Sequence, residues 1–175
     1  MLLLFITLYG YTTNYNKIQQ KDLCIILESE KAVMQLNTMR CDIGIATCTD
    51  KISDIQAKYI KGMNAKRNIV AYDEGLEEEY IREQAIKLKP RYLSMIIPSR
   101  WFAGGKGLDE FRDEMLHDDH IREIHDFGNA NDCFPGVAIE GGVCYFLWNR
   151  DNKGLCKIYS HSQGQITAMS ERPLL

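Results

Sequence analysis

PRYLSMIIPSRWFAGGKGLD, from Pro90 to Asp109, decides how this chain is read. Pro90 stops the helix pattern before it. Tyr92 to Ile97 then runs to Pro98 with little polar interruption, as a strand does when helices cover both its faces. Gly104-Gly105-Lys106-Gly107 makes a loop. Leu108, Phe111, Met115 and Leu116 follow on one face of a helix opened by Asp109 and Glu110. The unit is strand, loop, helix.

The flanks extend it. Upstream, Leu76, Tyr80, Ile81, Ala85 and Leu88 form a helix stripe, with Glu77, Glu78 and Glu79 in the first turns and Lys87 and Lys89 in the last. Downstream, Ile121 to Phe127 reads as a strand and Gly128 to Asp132 as a turn. Val143 to Trp148 is a continuous apolar run, hence a buried strand, and Leu155 to Tyr159 begins a final one. Leu23–Leu27 and Cys41–Ala46 are further apolar runs of strand length, whereas 51–68 reads as helix and loop. Met1 to Ile6 reads as a first buried strand. It lacks a basic leader, and its apolar stretch breaks at Gly10, short of the roughly 20 residues that span a bilayer. The expected architecture is an α/β sheet whose late strands turn antiparallel, divided into a poorly defined segment 1–72 and an organised segment 73–175.

Composition narrows the function classes. With 175 residues, 45% hydrophobic and 26% charged, the chain is an ordinary globular protein of about one domain. Its net charge of -3 argues against a generally basic coat for nucleic acid. Locally the balance reverses: from Arg82 to Arg112 there are seven basic and three acidic residues. Within that stretch Arg100, Trp101, Phe102 and Lys106 lie just past a strand end, where phosphate and stacking contacts are made. The six cysteines contain no CxxC pair, so they read as reduced thiols in a reducing, cytoplasmic setting. His117, His120 and His125 show no HExxH spacing and read as surface residues rather than metal ligands. Gly104–Gly107 is no phosphate loop, because Gly107 stands where Ser or Thr is required.

Taken with Asp126-Phe127, Cys133-Phe134-Pro135-Gly136-Val137 and Gly141 to Trp148, the opening stretch resembles the adenine-specific DNA methyltransferases of type II restriction–modification systems. The resemblance covers roughly residues 76–175. It implies the later half of a Rossmann-like, S-adenosylmethionine-dependent domain that methylates N6 of an adenine flipped out of DNA. An amine conjugated with its ring is a poor nucleophile, so acceptors must hold its hydrogens and an aromatic ring must hold the base. The family meets these needs with an Asn/Asp-Pro-Pro-Tyr/Phe loop and a later Phe-Pro segment. By resemblance Phe134 and Pro135 are the base-stacking pair.

The remainder of the family pattern is not present. The catalytic loop would fall on Thr47-Cys48-Thr49-Asp50, which offers neither the carboxamide, the prolines nor the aromatic ring. No glycine-rich turn precedes residue 47, although Glu28 and Glu30 stand where a ribose-binding acid could. The expectation is therefore a family member or fragment, cut at both ends, inactive by itself and not binding S-adenosylmethionine alone. Ile166 to Leu175 resembles the point where relatives continue into target recognition. The alternative is a non-catalytic remnant that binds DNA or docks on an intact methyltransferase or restriction subunit.

Overall fold

A computed structural model describes residues 8–72, 76–105, 107–136 and 141–175, arranged as two compact units, Met1–Lys89 and Pro90–Leu175. The expected first strand at Met1 to Ile6 lies outside the described residues.

In the first unit a three-stranded parallel sheet has the order β2-β1-β3, formed by β1 (Leu23–Leu27), β2 (Gly44–Ala46) and β3 (Arg67–Ala71). Helices α1 (Tyr11–Lys21), α2 (Glu30–Thr38), α3 (Asp54–Gly62) and α4 (Glu78–Lys87) accompany it. Ser29 opens α2 by accepting from the Ala32 amide, and Ser53 opens α3 through a reciprocal capping box with Gln56. Ile18, Cys24, Ile26, Ile45, Ile52, Ile60 and Met63 fill the core. The sequence reading divides the chain at 72/73, but α4 stays with this first unit. The Ile52 amide donates to Gln84 Oε1 at 3.1 Å, and Lys87 Nζ donates to the Ile52 carbonyl at 3.4 Å.

The second unit is a five-stranded mixed sheet of order β4-β6-β5-β7-β8. Its strands are β4 (Tyr92–Pro98), β5 (Ile121–Phe127), β6 (Val143–Asn149), β7 (Cys156–Ser162) and β8 (Gln165–Arg172). β6 runs antiparallel to both β4 and β5, β5 pairs parallel with β7, and β7 and β8 close an antiparallel hairpin. The hairpin turns on Gln163 (φ 50°) and Gly164 (φ 74°), two consecutive left-handed residues that match the strand twist.

Helix α5 (Asp109–His117) lays Phe111 and Met115 on one face of this sheet, with Trp101, Leu108, Ile97, Ile124, Cys144 and Phe146. A strand covered on both faces was expected at 92–97. Instead Tyr92 is 52% and Ile96 61% exposed, because α5 covers only the face carrying Leu93 and Ile97. Two strands had no forecast: β3 lies inside or just past the stretch read as helix and loop, and β8 follows the last apolar run.

Candidate functional site at the carboxyl edge of the second sheet

β4 and β5 both oppose β6, so their carboxyl ends lie on one side of the sheet. There the Ser99 hydroxyl donates to Asp126 Oδ1 at 2.6 Å, while the Ser99 amide donates to the Gly142 carbonyl at 2.9 Å. Gly142 is required by close approach: a Cβ there would stand 2.7 Å from the Phe127 carbonyl. This edge is where open α/β sheets receive ligands.

The short 3₁₀ turn Ser99–Phe102 follows β4 directly. Arg100 is exposed on it. Trp101 is not: it is 2% exposed, its indole donates to Cys144 Sγ at 3.3 Å, and its ring meets Phe111 edge-on. The reading of Trp101 as a surface stacking group is thereby corrected, since the flanking charges belong to its neighbours and the indole to the core. Phe102, 37% exposed, is the aromatic ring that this turn presents. Arg112 Nε donates to the Phe102 carbonyl at 3.0 Å, and Asp109 Oδ1 accepts from the Gly105 amide at 2.7 Å, so α5 holds the loop. Lys106 lies outside the described residues, as does Val137.

Phe134 is half-buried and packs on Phe127, Ala130 and Val143 at the same edge, its amide donating to the Ala130 carbonyl. Pro135 is exposed beside it. Ser99, Arg100, Asp126, Phe134 and Pro135 therefore belong to one edge of one sheet. Ser99 and Asp126 were missed from sequence. The available signal was a carboxylate between Ile124 and Phe127, placed by alternation on the face that α5 covers.

Thr47, Cys48, Thr49 and Asp50 belong to the first unit, just past β2. Thr47 is fully buried, its hydroxyl 2.7 Å from the Thr49 carbonyl, 3.2 Å from the Leu27 carbonyl and 3.3 Å from the Tyr72 hydroxyl. Buried Gln56 spans the loop, donating to the Thr47 carbonyl at 3.0 Å and accepting from the Ser53 amide at 3.0 Å. Burial raises the Cys48 thiol, helped by the charge of Glu30, so it is a poor thiolate. Burial likewise pushes Cys24 to about 12 and Cys144 and Cys156 to about 11. The loop is built to hold β2 against α3, not to grip an amine.

Metal-ligating groups gather at the opposite end of β5, where ligand atoms of Asp118, Asp119 and His120 lie within 4.8 Å of one another. Protein partners already engage them. His120 Nδ1 is 3.0 Å from Asp118 Oδ1, the Trp148 indole donates to Asp118 Oδ2 at 2.9 Å, and Lys153 Nζ is 3.2 Å from Asp119 Oδ1. The adjoining cavity of about 210 Å³, lined by Leu116, Ile121, Gly154 and Leu174, falls below the range of about 300–1,000 Å³ usual for a small-molecule site. His125 is not the surface residue expected, its side chain being 17% exposed.

The comparisons with known proteins bear on the same stretch. Residues 49–134, from the end of the Thr47–Asp50 loop to Phe134, match the family described as Eco57I restriction-modification methylase. The chain is a relative of the restriction–modification methylases. A protein of Mycoplasma pneumoniae (strain ATCC 29342 / M129 / Subtype 1) described as "Uncharacterized adenine-specific methylase" is 40% identical over 72 residues, covering 41% of this chain and 17% of that protein. The chain thus spans about a sixth of the curated methylase that it matches. No solved structure matches. Within the methylase match lie Arg100, Ser99, Asp126 and Phe134, and Pro135 follows its last residue. No helix among the described residues is long and apolar enough to cross a membrane.

Proposed function

We propose that this methylase relative works on DNA in adenine-specific restriction–modification chemistry, holding DNA and the target base and not transferring the methyl group by itself. The observation that supports it best is the conjunction at one sheet edge of the methylase match with exposed Arg100, Phe102 and half-buried Phe134. Arg100 supplies charge for a phosphate, and the rings supply faces for an extruded base. The Ser99–Asp126 bond fixes β4 against β5, so these groups keep their spacing.

S-adenosylmethionine is the methyl donor of such enzymes, and the residues of the first unit do not fit it. β1 runs into α2 through Glu28 and Ser29 with no glycine, and the Ser29 side chain already occupies the start of α2. Thr47 to Asp50 cannot replace the carboxamide that holds the amine, because the one hydroxyl is buried and bonded. Methyl transfer on this reading belongs to a partner that carries the donor site and the catalytic loop, such as an intact methylase. β4 is the edge strand of its sheet, with Tyr92, Ser94 and Ile96 exposed, and it offers a partner a free row of backbone groups.

The test is fluorescence anisotropy of labelled duplex DNA with the full chain, paired with transfer of radiolabelled methyl from S-adenosylmethionine. Salt-dependent binding that weakens in Arg100→Ala, without label in the DNA, is expected. Label delivered by the chain alone, or no DNA binding at low salt, overturns the reading.

A further inference from the structure

The sheet face away from α5 carries a pair of side chains that the reading above leaves unused. His125 on β5 and His161 on β7 come from adjacent parallel strands, and His125 Nδ1 lies 2.9 Å from His161 Nε2. Both rings are clamped. His125 is stacked between Tyr145 and Tyr159, each at a centroid distance of 4.5 Å and interplanar angles of 9° and 18°. His161 is stacked on Phe127 at 4.3 Å and 13°.

Two imidazole nitrogens this close share one hydrogen, donated by one ring to the lone pair of the other. The other nitrogen of His125 decides which. Its Nε2 faces Glu123 Oε2 at 3.9 Å, on the same strand and the same face of the sheet. A carboxylate there favours the proton on Nε2 and leaves a lone pair on Nδ1 toward His161. A carboxylate behind an imidazole is also the usual second partner of a metal-binding histidine.

Imidazole binds first-row metals at about 2.0–2.1 Å, so two such ligands at a right angle stand about 2.9 Å apart. The His125–His161 spacing already has this value, and the strands need not move. The geometry points to a bidentate site, His125 Nδ1 with His161 Nε2, for a divalent ion of the copper or nickel kind that prefers imidazole in tetragonal geometry. On binding, the ion replaces the shared hydrogen, the His161 proton resides on Nδ1, and water completes the coordination. The ion would bridge β5 to β7, a parallel pair that no short turn joins.

Titration of the full chain with nickel chloride, followed calorimetrically, tests the site. One ion per chain is expected. His125→Phe and His161→Phe, which keep the stacked rings, should each weaken binding by at least about tenfold, and Glu123→Gln should weaken it by about tenfold. Cys133→Ser should leave it unchanged. Where a Phe variant fails to fold, the parent decides: nickel should broaden the ring proton resonances of His125 and His161 before those of His117 and His120. Absence of saturable binding, retention of affinity in folded Phe variants, loss of affinity in Cys133→Ser, or broadening first at His117 and His120 would overturn the assignment.

Discussion

Ser99 and Asp126 meet across β6 without touching it: one hydrogen bond of 2.6 Å joins the residue after β4 to the penultimate residue of β5. The strand between them contributes only Gly142, whose missing side chain lets the Ser99 amide reach its carbonyl. The exposed groups on this edge are therefore positioned by one polar contact and one close backbone approach.

Removing that contact should be measurable. Ser99→Ala leaves a partly buried carboxylate short of a donor and should cost about 2 kcal/mol in urea denaturation. Asp126→Asn keeps an acceptor for the hydroxyl and should cost about 1 kcal/mol. Equal losses in the two variants would show that charge, not donation, matters there.

Phe134→Ala should act on base holding more than on stability, since the ring is half-buried at the edge. Stacking is worth about 1–3 kcal/mol per base, so affinity for an adenine-rich single strand should fall about tenfold. Anisotropy at fixed salt is the readout, and Phe134→Leu should lie between parent and Ala.

Trp101 behaves oppositely. Its burial and its bond to Cys144 predict that Trp101→Ala costs about 3–5 kcal/mol of unfolding free energy. Trp101→Phe should recover much of that stability and leave DNA affinity at the parent value in anisotropy. A selective loss of DNA binding in folded Trp101→Phe would return the indole to the surface.

Acid should loosen the second sheet at His125. Its pKa is lowered from the ordinary 6.5 by burial first and by His161 second, while Glu123 opposes the shift. The unfolded chain thus takes up this proton at higher pH than the folded one. The stabilisation is complete above about 6.5 and is lost as pH falls from there through the lower folded value. Denaturation at pH 8.0, 6.5 and 5.0 should show a slope in that window, and His125→Phe should flatten it.

The legible parts of this fold are those whose burial follows their backbone. β1 and β6 are continuous apolar runs, and in the structure Cys24, Ile26, Cys144 and Phe146 are fully buried. β3 and β8 are strands by hydrogen bonding alone. All eight residues of β8 are exposed, so no alternation of apolar and polar residues marks it. The same limit governed the site. Phe134-Pro135 was readable as a motif, whereas Trp101 was misplaced because its sequence neighbours are charged and its spatial neighbours, Phe111 and Cys144, are not.

The two-residue turn at Gln163–Gly164 has a consequence for how the second unit is made. A hairpin closed by such a turn forms within about 1–10 μs and needs nothing distant. β4 pairs only with β6, across a chain separation that includes α5 and β5. During synthesis β4 and α5 emerge first, yet they must wait on the ribosome with Ile97 and Phe111 unsheltered until β6 has been translated. The last segment to leave the tunnel is the first able to close, so biogenesis of this sheet runs against the direction of translation.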